Sequence, residues 1–339
     1  MFLNLSKGAK GKGLSFNRLQ QFAIFSAFRR GLLYHQPGIM KATDWLWMII
    51  LSVIWGSSFM FLKIALRELT PFWLIFFRLA FAVPFMVMVC RFMRLSFPRD
   101  LRSWLSIGFL GVINTGLPFY MISWAQQFVD SSTASILNAT SPVFVMILAH
   151  FLTDDEKLTW RKVTGVLTGI AGIVAMVWSS LASGIVLAGM AQLAILGGTF
   201  NYALAGIYAR RFQHLPSVMV TAVSLIGALV FLLPGLLLAE PPAFMALKPL
   251  TWLALTMLGV FCTGIAYIIY FRIISTAGAT NALLVTLMIP VSALLLASTV
   301  LGETLKPNDI LGMLLIFSGL LIIDGRLFDM ITRPRKSSD

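Results

Sequence analysis

Residues 104–116 read WLSIGFLGVINTG, and residues 252–264 read WLALTMLGVFCTG. At this spacing of 148 positions, Trp104, Leu105, Leu110, Gly111, Val112, Thr115 and Gly116 fall on Trp252, Leu253, Leu258, Gly259, Val260, Thr263 and Gly264. The same offset carries Ala134, Pro142, Val143, Leu148 and Ala149 onto Ala282, Pro290, Val291, Leu296 and Ala297. After a slip of one residue, Glu156, Leu158, Gly165 and Gly172 fall on Glu303, Leu305, Gly312 and Gly319. Leu, Val and Ala coincide by chance in an apolar chain. Trp, Pro, Glu and Gly recurring in the same order do not, so one unit is written twice.

The unit is a set of membrane-spanning helices. Of 339 residues, 58% are hydrophobic and 12% charged, with a mean hydropathy of +0.89. A soluble domain carries roughly 25% charged residues, so this chain lacks the polar material to cover a water-soluble particle. Its apolar runs are about 20 residues long, the length a helix needs to cross roughly 30 Å of hydrocarbon. Segments such as ILNATSPVFVMILAHFL at 136–152 do not alternate as barrel strands would. Only helices and closed barrels satisfy their backbone in lipid, which leaves helices.

Runs bounded by charge, Pro and Gly predict ten spans, near 44–63, 71–90, 103–128, 132–152, 162–179, 185–208, 216–238, 250–273, 279–301 and 309–325. They divide into a first repeat at 41–180 and a second at 185–325, with a tail at 326–339. Five spans per repeat is an odd number, so the second repeat enters the bilayer inverted. Inverted repeats are a device of secondary transporters, because two equivalent halves can exchange conformations around a midplane site. If the N-terminus is cytoplasmic, 21 of the 26 Lys and Arg fall on the inner side, four on the outer, and Arg78 lies within a span. This positive-inside asymmetry places both termini in the cytoplasm, in a cell or inner membrane. The net charge of +13 is therefore a topology signal with anionic lipid as its partner, and nucleic acid is not expected.

Residues 1–40 hold no acid and only a short apolar stretch at 22–28. They fit neither a span nor a secretory signal. An organellar transit peptide is one reading, but Met40 followed by KATDWLWMII is a natural start, which favours a disordered extension or a start assigned too early. Cys90 and Cys262 form no framework and read as small packing residues. His35, His150 and His214 pair with no nucleophile or ligand set, and no phosphate loop occurs, so neither an enzyme nor a metal or other cofactor is expected.

Several stretches together resemble the EamA family of the drug/metabolite transporter superfamily. They are WGSSF at 55–59, the segment 71–78 before LAFA, ASILNATSPVF at 134–144, and EKL at 156–158 followed by Gly165 and Gly172, then ALLVTLMIPVSALLLASTVLGETL at 282–305 with Gly312 and Gly319. The resemblance covers 41–325. DDEKL at 154–158 lacks the Gly that usually precedes the Glu, and GGTFNY at 197–202 stands where the family often carries a Trp. The resemblance implies an all-α fold of ten helices in two inverted repeats and alternating-access transport of a small solute, with amino acids or related metabolites as the substrate class. Alternatives are a broad exporter of amphipathic compounds or drugs, and a non-transporting scaffold or sensor with a sealed centre. A homodimer is among the possible assemblies.

Polar residues within spans are the site candidates. Arg78 is the deepest charge in its span. Such a charge faces a cavity or partner, and it either snorkels or bonds carbonyls for structure, or meets the carboxylate of a solute. Glu156, Glu303 and Asp324 lie at span ends and read as caps. Thr263, Tyr267 and Tyr270 follow a one-face helical spacing, as do Gly116, Tyr120, Ser123 and Gln127. Asn114 and Asn138 are mid-span amides, Trp55, Ser57 and Ser58 lie near the centre of the first span, and Asn201 with Tyr202 takes the equivalent place in the sixth. Interhelical bonding accounts for Ser and Thr, whereas Asn and Tyr with aromatic walls suit binding of an amphipathic metabolite. Pro142 and Pro290, at equivalent points, are hinge candidates. Gly165, Gly169 and Gly172 have the spacing of close helix packing.

Overall fold

A computed structural model describes residues 42–152, 159–182, 186–282, 284–304 and 307–324. The N-terminal extension, Glu156 and the 326–339 tail lie outside the described residues. The described chain forms helices and contains no strand. In chain order these are α1 Ala42–Ala65, α2 Pro71–Phe92, α3 Leu101–Ala125, α4 Ser131–Leu152, α5 Trp160–Ala182, α6 Val186–Ala209, α7 Ser217–Leu232, α8 Pro249–Ala277, α9 Leu284–Leu301 after a short turn at Ala279–Ala282, and α10 Pro307–Asp324. Nine of these segments are long and apolar enough to cross a membrane, and α10 is a shorter apolar helix.

Local chemistry sets the ends. Pro71 opens α2 at a position where no backbone donor is needed, and the Asp100 carboxylate caps α3 by accepting from Ser103 N at 2.7 Å. Asp44 in the first turn and Lys63 in the last complement the dipole of α1. Gly278 at φ +87° ends α8, and Gly302 at φ +70° ends α9, in a backbone region open to glycine at little cost.

Packing follows the repeat. With α1–α5 exchanged for α6–α10, the contact of α1 with α9 becomes that of α6 with α4, α3 with α7 becomes α8 with α2, and α3 with α6 becomes α8 with α1; all of these occur. α5 and α10 pack along their lengths, and the glycines make this possible. A Cβ on Gly165 would lie 2.7 Å from the Gly319 carbonyl, and one on Gly172 would lie 2.8 Å from that of Gly312. Gly169 seats Val143 of α4. The mirrored crossings of α3 over α7 and α8 over α2 also need glycine, Gly111 resting on the Ser224 backbone and Gly259 on that of Arg78. Ser224 is thus the structural counterpart of Arg78.

Departures from regular helix, among them a π-helical last turn of α9 at Ala297–Leu301, were not visible in the apolar pattern. α3 passes through a π-helical stretch at Val112–Gly116 and α8 through one at Met257–Ile265, at equivalent places in the repeat. α4 is broken after Ser131–Asn138 and resumes at Ser141, so the interruption falls just before Pro142, whereas Pro290 is accommodated inside Leu284–Leu296.

Candidate functional site

Arg78 is the eighth of the 22 residues of α2 and is 5% exposed. Its Nε donates to Thr263 Oγ1 at 3.0 Å, and its guanidinium lies 3.6 Å from the centroid of Phe119 on α3. The π turn in α8 sets the Thr263 hydroxyl, whose proton is donated five residues back to the Leu258 carbonyl at 2.8 Å. Its lone pairs are thereby turned toward Arg78. π turns recur at functional sites. A charge at the centre of a spanning helix costs roughly 2.5–3.5 kcal/mol on insertion scales, and one buried within the span also calls for compensation. Among the described residues no carboxylate supplies it. Asp44, Glu68, Asp100, Asp130, Glu240, Glu303, Asp309 and Asp324 all lie at helix ends or in connections.

The neighbours of Arg78 come from both halves. Cys262, Tyr202 and Tyr267 are within electrostatic reach of the guanidinium. Asn114 Nδ2 donates to Tyr267 Oη at 3.1 Å, joining α3 to α8. Trp55 of α1 packs on Tyr270 with ring centroids 5.3 Å apart, and Ser57 meets the Cys262 sulfur at 3.8 Å. Arg78, Thr263, Asn114, Tyr267, Tyr202, Tyr270 and Trp55 thus form a continuous polar and aromatic centre.

Other candidates are placed differently. Ser58 donates to its own helix at Trp55 O, and Asn201 donates to Gly197 O, so each spends a donor locally. The Asn138 side-chain carbonyl is buried at the break in α4 without a hydrogen-bond partner. Tyr120 is 42% exposed and makes none of the hydrogen bonds or ring contacts that join the centre. The expected shared face of Tyr120, Ser123 and Gln127 does not form. Ser123 is buried, Gln127 is exposed because α3 ends at Ala125, and Gln126 takes the interior place instead.

Sequence reasoning did not single out Phe119, since nothing in an apolar run marks one Phe as facing a charge. Gln126 also went unremarked. Its amide donates to Phe59 O at 3.1 Å and Ser131 Oγ at 3.3 Å. Lys63 Nζ donates nearby to the carbonyls of Gln126 and Val129, each at 2.8 Å. Here the halves are clasped. Glu303, swung round by Gly302, accepts from Ser131 N at 3.0 Å, Ser132 N at 3.1 Å and Ser132 Oγ at 2.9 Å. Thr133 Oγ1 adds a bond to Asp309 at 3.0 Å. Glu303 does cap a helix, but it is α4 of the other repeat.

The model of the EamA-like transporter family matches residues 44–178 and again 189–324. The chain belongs to the EamA-like transporter family. The two EamA matches coincide with the two halves seen in the helix packing. Among EamA-like relatives, YoaV of Bacillus subtilis, described as an uncharacterized transporter, is 25% identical over 81% of this chain and 94% of its own length. A "probable amino-acid metabolite efflux pump" of Salmonella typhimurium is 26% identical over 84% of this chain and 95% of its own. A "probable terminal-alkyne amino-acid exporter" of Streptantibioticus cattleyicolor is 26% identical over 85% and 95%. One solved structure superposes with a TM-score of 0.58 at 17% identity, over 84% of this chain and 98% of that one. The chain is a multi-pass membrane protein of transporter type, and its partner is a small-molecule solute.

Proposed function

We propose that the protein is a secondary carrier that moves a small metabolite, an amino acid or related compound, across the cytoplasmic membrane by alternating access, in export or exchange. The observation that carries this reading is the buried centre around Arg78, built from α1, α2, α3, α6 and α8 and therefore shared between the inverted halves. A site at the seam of two such halves faces one side or the other as they rock. The printed names of the Salmonella and Streptantibioticus relatives support the amino-acid class. The break before Pro142, and Pro290 at the equivalent point, would serve as hinges, with both termini cytoplasmic.

Aromatic walls at Trp55, Tyr270, Tyr267 and Phe119 favour a second reading, a broad exporter of amphipathic compounds. Uptake into proteoliposomes separates these readings, using a metabolite panel and a drug panel with and without a pH gradient. Movement of amino-acid-like solutes supports the first and movement confined to drugs the second. A folded protein that moves nothing contradicts both.

A further inference from the structure

Resting on the carrier reading, we propose that Arg78 and Thr263 form the seat for a carboxylate of the transported solute, so that the cargo is an anion or zwitterion and a cation of the same shape is refused. Four observations converge. First, the described residues provide the guanidinium with no carboxylate and no backbone carbonyl within hydrogen-bonding distance; its single bond is Nε to Thr263. The two terminal amino groups, with their four N–H donors, are left for a ligand, and a planar carboxylate is the acceptor that such a fork matches. Second, Phe119 covers one face of the guanidinium plane, which leaves its edge as the direction of approach.

Third, the fold does not require the charge. The crossing of α3 over α7 repeats that of α8 over α2, with Gly111 on the Ser224 backbone as Gly259 is on that of Arg78. Ser224 serves that crossing by donating to Thr221 O of its own helix at 2.9 Å. Fourth, the remaining polar groups of the centre, the Asn114 and Tyr267 pair and Tyr202, are uncharged. Among the described residues no fixed negative charge is there to hold a cationic cargo.

The test uses the purified full-length protein in detergent and three probes of one shape, 3-phenylpropionate, phenylalanine and phenylalaninamide, which are an anion, a zwitterion and a cation. Thermal unfolding is followed across a titration of each. The expected result is a concentration-dependent rise in melting temperature with the two carboxylates and none with the amide. Arg78→Met should abolish the rise, and Arg78→Lys should weaken apparent binding at least tenfold. If Arg78→Met does not fold, Thr263→Val, which removes the partner of Nε, should weaken both carboxylates together. Equal stabilisation by the amide, an unchanged titration in the Arg78 or Thr263 variants, or no response to any probe overturns the proposal. Carboxylate binding without flux would sink the carrier reading and leave the seat standing; flux of cations indifferent to Arg78 would do the reverse.

Discussion

Replacing Glu303 with Ala removes the acceptor of three hydrogen bonds that tie the end of α9 to the start of α4, at 3.0, 3.1 and 2.9 Å. Loss of an N-cap acceptor costs about 0.5–2 kcal/mol, and loss of a negative charge at a helix N-terminus about 0.3–1 kcal/mol more. Together the clasped arrangement should lose roughly 1–3 kcal/mol relative to one in which this end has opened, a shift of about 5- to 150-fold. A carrier's two conformers differ by only a few kcal/mol, so the change should bring the opened form into view. Spin labels at Phe128 and Val300, both exposed positions near this end, report it in a background with Cys90 and Cys262 replaced by Ala. Electron–electron double resonance should give one short distance with Glu303 and an added longer one with Glu303→Ala. Glu303→Gln, which keeps an oxygen but not the charge, should fall between. Identical distance distributions for all three would refute the view that Glu303 holds the halves together.

Gly319→Val should lower the melting temperature through about 1–3 kcal/mol of overpacking, since a Cβ there would lie 2.7 Å from the Gly169 nitrogen; an unchanged melt would mean that α5 and α10 can separate at no cost. A double-mutant cycle of Asn114→Leu with Tyr267→Phe should give a coupling of roughly 0.6–1.7 kcal/mol from denaturant unfolding, the range of polar pairs between membrane helices. Additive losses would mean that their 3.1 Å contact does not matter in solution. Glu68, in the connection before α2, accepts from Thr251 Oγ1 at 2.6 Å and Lys248 N at 3.0 Å, and these bonds hold its carboxyl below the usual range. Because the folded value is depressed, its contribution is present above the unfolded carboxylate range and disappears as pH falls through the folded value. Wild type should therefore out-melt Glu68→Gln at pH 7 and converge with it in acid; a constant difference would exclude the linkage.

Much of the fold was legible because crossing hydrocarbon imposes a length. Each predicted span met a described helix, and Trp104 with Trp252 and Pro142 with Pro290 announced the duplication. What one helix turns toward another was less legible. When a helix is apolar all round, no stripe marks its packed face, so Phe119 looked like any other Phe, and Gln126 could not be told from Gln127. The π stretches at Val112–Gly116 and Met257–Ile265 were hidden too, since glycine crossings decided by tertiary packing lie within them or beside them. Arg78 was readable as a candidate because a charge in a span is expensive, but its bond to Thr263, far along the chain, required the fold. Glu303 read as a cap; that it caps the opposite repeat is a property of the assembled halves alone.

Counterflow tests the central claim most directly. Proteoliposomes holding the purified chain are preloaded with an unlabelled amino acid and diluted into a trace of the same compound, labelled, across an amino-acid panel. A carrier with one central site facing alternately to each side predicts transient accumulation of label above equilibrium for at least one member, abolished by Arg78→Met. Equilibration without overshoot for every member, from protein that remains folded, would contradict it.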